Sequence, residues 1–171
     1  MDTNISDEEK KVLDILTGLN LSWERIEHPP VYSIEEARLH WEKVKGGHVK
    51  NLFLRNYKGN RHYLVLVSAD KKVDLKKLTR ELNEDRLSFA SPERLEKFLG
   101  LKPGAVSPFG LINDREKKVV VVIDRDLLAL PCLNFHPNVN TSTITVTTED
   151  FQKFLSWSGQ KIILFELEDS A

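Results

Sequence analysis

Near the start of the chain the apolar residues Val12, Leu13, Ile15, Leu16 and Leu19 fall on one face of a helix. Ser6 followed by Glu9 has the form of a capping box, and Gly18 with Asn20 closes the segment. The spacing then changes. Residues 23–27 read as a short strand that stops at His28-Pro29-Pro30, where consecutive prolines forbid regular continuation. Ser33 and Glu36 form a second capping box and predict a helix over 33–41.

Gly46-Gly47 breaks the chain before an apolar run over 49–55, and Tyr57-Lys58-Gly59-Asn60 turns it back into a second run over 62–68. This pair predicts a hairpin of two largely buried strands. Asp74 opens a helix carrying Leu75, Leu78 and Leu82. Ser91-Pro92-Glu93 opens another, with proline at the favoured first position and Leu95, Phe98 and Leu99 on one side. A loop rich in breakers over 102–110 precedes the continuously apolar residues 119–123, which predict a central strand. Short strands are expected within 133–136 and 142–146. Thr148 is the expected cap of a helix with Phe151, Phe154, Leu155 and Trp157, and a last strand is expected over 161–167.

Hairpins mixed with strand–helix alternation predict an α/β (α+β) fold, a mixed sheet with helices packed around it, and a single domain over residues 1–171. Composition narrows the setting. A net charge of −1, from 25 Lys plus Arg against 26 Asp plus Glu, lacks the overall basic excess of a protein that coats nucleic acid, so any RNA contact is local. The lone Cys132 excludes an internal disulfide and a cysteine metal cluster, which fits the reducing cytoplasm. The N-terminal residues are acidic, without the basic-then-apolar order of a signal peptide, and no apolar run approaches about 18 residues, so neither export nor a membrane association is expected.

No nucleophile elbow, His-Glu-x-x-His or phosphate-binding Gly-x-x-x-x-Gly-Lys-Ser/Thr motif occurs. Cys132 follows a proline in an apolar stretch and reads as packing. His28, His40, His48, His62 and His136 are scattered, with no metal-ligand spacing. His62 reads as a surface or packing residue and His28 as part of a turn. Three segments are more informative. Lys50 lies near the start of an apolar strand, where it is either an edge charge that discourages aggregation or an ammonium held rigidly to bind a phosphate or polarise an ester. The uncharged loop Gly104-Ala105-Val106-Ser107-Pro108 is either an ordinary turn or a set of converging backbone N–H groups. Residues 134–143 gather three asparagines and His136 around Pro137, as a self-capped loop or as the lining of a small-ligand pocket.

Taken together and in this order, Gly-His-Val-Lys-Asn-Leu-Phe-Leu over 47–54, Gly-Ala-Val-Ser-Pro-Phe-Gly-Leu over 104–111 and Asn-Phe-His-Pro-Asn-Val-Asn-Thr over 134–141 resemble the YbaK/ProX-like deacylases. These are similar to the editing domain inserted in bacterial prolyl-tRNA synthetase. The likeness runs from about 23 to 165 and is greatest to the freestanding branch that clears alanyl-tRNA for proline, on the His136-Pro137 and Asn140-Thr141 pairs. It implies a barrel-like mixed sheet, no metal or organic cofactor, and aminoacylated tRNA for proline as partner through its acceptor end. Prolyl-tRNA synthetase is a candidate second partner of a monomer or homodimer. It also implies catalytic roles for Lys50, Gly104 and His136, with Asn51, Ala105, Val106, Ser107, Pro108, Asn140 and Thr141 contacting substrate.

An aminoacyl ester is already activated toward water, so an editor needs positioning and charge stabilisation rather than a side-chain nucleophile. The expected mechanism has Lys50 at the terminal phosphate or ester, loop N–H groups on the developing oxyanion, and His136 with Asn140 shaping the pocket. Lys43, Lys45, Lys71, Lys72 and Arg55 are candidate acceptor-stem contacts or plain solvated surface. Removal of cysteine or serine, and a non-catalytic tRNA-binding role, are the alternatives.

Overall fold

The computed structural model describes residues 5–33, 35–36, 38 and 46–167. In chain order the elements are α1 (Asp7–Gly18), β1 (Glu24–Glu27), β2 (Gly47–Asn56), β3 (His62–Ser68), α2 (Leu75–Glu81), β4 (Leu87–Phe89), α3 (Pro92–Leu99), a 3-10 helix (Pro108–Asn113), β5 (Val119–Asp124), α4 (Arg125–Leu128), β6 (Cys132–Phe135), β7 (Ser142–Thr147), α5 (Thr148–Ser158) and β8 (Ile162–Phe165). Ser33 Oγ accepts from the Glu36 N–H at 3.1 Å, as its capping role requires, and Glu35, Glu36 and Arg38 are helical. Residues 39–45 of the predicted helix and its exit, with Lys43 and Lys45, lie outside the described residues.

The mixed sheet runs β1-β7-β6-β2-β3-β5-β8, with β4 added to β2. Its path is open, from β1 at one end to β8 at the other. The predicted hairpin is present, with Val49 opposite Ser68 and Arg55 opposite His62. β3 and β5 run parallel, Tyr63 opposite Val120 and Val65 opposite Val122. Both strands are apolar at nearly every position because both their faces are covered. Alternation sends Leu64, Leu66, Val121 and Ile123 into a larger core with α1, α3, α5 and Phe109, and sends Tyr63, Val65, Val67 and Val122 into a smaller one with Leu78, Leu87 and Phe165.

β2 is the strand on which the two halves meet. One edge pairs with β3 along most of its length. The other pairs in parallel with β6 only at Gly47 and His48, opposite Leu133 and Asn134, and with β4 only at Leu54, Arg55 and Asn56. Between these two ladders, residues 49–53 have no strand partner on that edge.

Four local differences from the sequence reading have clear causes. The cap of α5 is Thr147, whose Oγ1 accepts from the Asp150 N–H at 3.0 Å, while the expected Thr148 donates its hydroxyl to the Leu130 carbonyl. β8 covers four residues rather than the seven expected over 161–167, because its ladder to β5 spans only Ile162–Phe165. β4, α4 and the 3-10 helix are too short to leave a periodic signal. Glu9 does not complete its capping box. Its carboxylate, 1% exposed, accepts from Arg25 Nε at 2.5 Å and from Ser142 Oγ at 2.7 Å, tying α1 to β1 and β7.

His62 is a packing residue. It is 2% exposed, its ring centroid lies 3.9 Å from that of Phe98, and its Nε2 accepts from Arg94 Nη1 at 3.0 Å. Arginine can only donate, so this ring is neutral with its proton on Nδ1. Burial, and then the nearby Arg94, Arg55 and Lys97, push its pKa down to about 4. The unfolded chain therefore takes up a proton as pH falls below the ordinary histidine value of 6.5, while the folded chain does not until about 4. Stability is expected to fall across that window at up to about 1.4 kcal/mol per pH unit for this group. Denaturant titrations of the parent chain and of His62→Phe at several pH values check it, the variant showing the shallower slope.

Candidate active site

Where β6 ends, the chain turns through residues 136–141 and returns as β7. Asn138 takes a positive φ of 62°, a conformation that asparagine tolerates better than most side chains. Residues 28–32 lie against this turn. The His28 N–H donates to the Thr141 carbonyl at 3.0 Å, and Asn140 Nδ2 lies 3.4 Å from the Val31 carbonyl. The Gly104 loop closes the group from a third direction. Gly104 has φ +87°, and a Cβ placed on it would come within 3.0 Å of the Tyr32 ring and 3.4 Å of Asn140 Nδ2. Both the backbone conformation and the close approach call for glycine.

Within this loop the Ala105 N–H is used, donating to the Lys102 carbonyl at 3.1 Å. The N–H groups of Gly104 and Val106 have no hydrogen-bond partner among the described residues. Ser107 is fully buried and its Oγ accepts from the Phe109 N–H at 3.1 Å, capping the 3-10 helix that Pro108 opens. Their side chains therefore hold the loop's shape, and the N–H groups of Gly104 and Val106, with that of buried Ser107, keep hydrogen-bonding capacity to offer.

His136 lies in the same cluster. Its Nδ1 is 3.0 Å from the Ser142 carbonyl, which can only accept, so Nδ1 carries the proton and Nε2 presents a lone pair. Burial lowers its pKa, favouring this neutral form. His28 stands beside it, ring centroids 6.0 Å apart, held by the Pro29 carbonyl and by Thr143 Oγ1 at 2.9 and 2.8 Å. Ser142 joins the site to the interior, because its hydroxyl serves Glu9 while its carbonyl orients His136.

Lys50 and Asn51 occupy the stretch of β2 that lacks a strand partner on its outer edge. In the parallel ladder His48 lies opposite Asn134; continuing that register by two residues would bring Lys50 opposite His136, but the strands separate first. Lys50 is half-buried, burial lowers its pKa, and its Nζ donates to the Lys71 carbonyl at 2.5 Å. Strand alternation turns Asn51 to the opposite face. Its Oδ1, like that of Asn138, is buried without a partner among the described residues. Such acceptors call for a donor. The fold thus brings the Gly104 loop, Asn140 and the 28–32 segment into contact, and sets His136 beside His28. Lys50 is bonded elsewhere, to the turn after β3.

That turn corrects one expectation. Lys71 is not an RNA contact: it is 6% exposed, and its Nζ donates to Asp124 Oδ2 at 2.8 Å, Asp126 Oδ2 at 2.5 Å and the Leu167 carbonyl at 2.8 Å. The side chain pins the turn whose carbonyl holds Lys50. Tyr32 also lines this region without having been singled out from the sequence, and His28, read there as part of a turn, stands in it beside His136. Only the breaker content of 28–33 marked that segment, and no periodicity links it to residue 104. Among the described residues no three His, Cys, Asp or Glu side chains converge as a metal site would require, and no helix is long and apolar enough to cross a membrane.

Lys71→Met leaves fully buried Asp124 without its ion partner, and a loss of about 3–5 kcal/mol of stability is expected. Asp126, whose side chain is 70% exposed, contributes less, so Asp126→Asn is expected to lose under about 1 kcal/mol. Chemical denaturation of the two variants checks the contrast.

Residues 28–154 match the family profile described as aminoacyl-tRNA editing domain. The chain is 43% identical over 165 residues to the prolyl-tRNA editing protein ProX of Acetoanaerobium sticklandii, covering 94% of this chain and 98% of that one. It is 34% identical over 151 residues to prolyl-tRNA synthetase associated domain-containing protein 1 of Danio rerio, covering 87% and 82%. A crystal structure described as a candidate trans-editing enzyme for prolyl tRNA synthetase superposes with a TM-score of 0.72 at 23% identity, over 98% of this chain and all of that one, and shares the fold. The editing-hydrolase class implied by the three motifs is thus the class to which the comparisons lead. The chain belongs to the aminoacyl-tRNA editing domain family.

Proposed function

We propose that the chain is a trans-editing hydrolase that removes alanine from mischarged tRNA for proline. The observation that carries this reading is the Gly104 loop, held against Tyr32 and Asn140 with the Gly104 and Val106 N–H groups unspent. Two preorganised donors of this kind suit the oxyanion that forms when water adds to an ester carbonyl. His136 Nε2 accepts a hydrogen bond from the attacking water or from the neighbouring ribose hydroxyl. Lys50 takes the terminal phosphate or the ester end, and Asn51 Oδ1 and Asn138 Oδ1, buried without a donor among the described residues, suit the α-ammonium that every aminoacyl ester carries. Asn140 and Thr141 border the amino acid.

The name of the A. sticklandii relative supports tRNA for proline as the substrate body, and makes prolyl-tRNA synthetase the enzyme whose errors are cleared. Alanine follows from size. A synthetase pocket built for proline cannot strongly reject a smaller side chain, whereas a tight second pocket admits alanine and excludes the proline ring.

Deacylation rates measured side by side on alanyl, cysteinyl, seryl and prolyl tRNA for proline test the substrate. Alanyl is expected to be fastest and prolyl slowest, and a preference for cysteinyl or seryl ester overturns the alanine assignment. Lys50→Ala and His136→Ala are each expected to slow alanyl ester hydrolysis by about 100-fold. If both variants hydrolyse at the parent rate, the catalytic reading fails and a tRNA-binding role replaces it. Gly104→Ala is expected to lose activity as well, because an alanine there strains the backbone at φ +87° and crowds Tyr32.

A further inference from the structure

The pairing of β1, β7 and β6 sets three polar side chains together on one face of the sheet. Ile26 lies opposite Thr143 and Glu27 opposite Ser142, and the His28 N–H donates to the Thr141 carbonyl, which carries this pairing one residue past the end of β1. On the other side of β7, Asn134 lies opposite Thr145 and Phe135 opposite Ile144. Side chains alternate between faces, so Thr143 shares a face with Thr145 and Asn134, and continuing the two registers puts His136 and His28 on that face beside it. Ser142 and Ile144 point the other way, toward Glu9 and the larger core.

The half-buried His28 ring is held at both nitrogens. Nδ1 lies 2.9 Å from the Pro29 carbonyl, which can only accept, so Nδ1 carries the proton and Nε2 of the neutral ring accepts from the Thr143 hydroxyl at 2.8 Å. The backbone that follows is stiff, because Pro29 and Pro30 fix their own φ angles. Thr143 belongs to the β1–β7 ladder. The ring is therefore tied to the sheet rather than to the turn after β6, and its own N–H grips the last residue of that turn at Thr141.

His136 is held differently. Among the described residues its ring makes one hydrogen bond, from Nδ1 to the Ser142 carbonyl at 3.0 Å, and Nε2 stays open. A ring held at one atom can still swing about that bond. The His28 ring stands beside it, the centroids 6.0 Å apart and the planes tilted by 59°, and restricts the swing. It also acts on the charge of its neighbour. Burial lowers the His136 pKa, the bond to the Ser142 carbonyl opposes this, and a charge on His28 adds to the lowering. His28 thus bears on both the place and the protonation of His136 without occupying its open nitrogen.

We propose that His28 is a positioning residue for the hydrolysis: bonded to Thr143 and to the Thr141 carbonyl, it fixes the exit of the 136–141 turn and keeps the His136 ring in the orientation in which Nδ1 meets the Ser142 carbonyl and Nε2 stays open. The inference rests on the role proposed above for His136.

The test uses the full chain, with kcat and KM measured on alanyl-tRNA for proline and the imidazole nitrogens of His136 observed by 15N NMR. His28→Leu is expected to lower kcat about tenfold with KM kept within about twofold, the split that marks lost transition-state geometry. Its His136 signals should show both neutral tautomers where the parent shows the Nδ1–H form. Thr143→Val removes the hydroxyl and keeps the side-chain shape, and should share the loss. Because the two variants break one bond, their combination is expected to be no slower than His28→Leu alone. His28→Gln, whose side-chain oxygen can accept from Thr143, and Thr143→Ser, which keeps the hydroxyl, should restore most of kcat. If His28→Leu does not fold, the contrast between Thr143→Val and Thr143→Ser carries the test. Parent rates in His28→Leu and Thr143→Val, a His136 ring that keeps one tautomer, or a loss confined to KM each overturns the proposal, the last by making His28 a substrate contact. Failure of the underlying reading shows separately, as parent-rate hydrolysis by His136→Ala.

Discussion

β2 has to serve two partners on one edge. It holds β6 through Gly47 and His48 and β4 through Leu54, Arg55 and Asn56, while its other edge is committed to β3. A strand cannot follow two diverging neighbours without leaving a gap between them, and the gap falls at residues 49–53. Lys50 and Asn51 sit there, on rigid backbone yet beside an unpaired edge. The loop after β6, which carries His136 and Asn140, starts where the two strands part. The candidate site is in this sense a product of sheet topology.

Buried charge stabilises the surroundings of that gap. On one side Glu9 accepts from Arg25 and Ser142, and the Ser142 carbonyl then fixes the His136 tautomer. On the other side Asp124 holds Lys71, whose carbonyl holds Lys50. Lys50 is thus positioned by a residue that is itself ion-paired, and His136 by Ser142, whose hydroxyl is bonded to the ion-paired Glu9. Buried pairs of this kind add little net stability, but removing one partner costs a great deal, so they enforce one arrangement. His62 and His136 are kept neutral by burial and by partners that accept only one protonation state.

The chemistry available follows from what is left unspent. Among the described residues the 104–108 loop spends the Ala105 N–H and the Ser107 hydroxyl on its own shape and leaves the N–H groups of Gly104 and Val106, with that of buried Ser107, as donors. Among the described residues two asparagine side-chain carbonyls are left without donors, and His136 keeps one lone pair. These are donors for a carbonyl oxygen and acceptors for an ammonium, the two ends of an aminoacyl ester.

Secondary structure and the three motifs were legible in the residues, because apolar spacing, capping side chains and the breakers Gly46, Gly47, Pro29 and Pro30 act over a few positions. The interleaving of strands and helices pointed to a mixed sheet for the same local reason. Tertiary structure alone decided what long side chains do. Lys71 reads as a surface lysine beside Lys72, and only the meeting of the β3 exit with Asp124, 53 residues later, makes it a buried anchor. Glu9 reads as a capping residue until β1 and β7 bring Arg25 and Ser142 to it. Tyr32 and Gly104 carry no shared signal along the chain, yet they touch. Local pattern determines which segments form, because propensity and capping are short-range. Which segments meet, and so which charges are paired, which amides stay free and where β2 is left bare, depends on sheet order, which no run of neighbouring residues encodes.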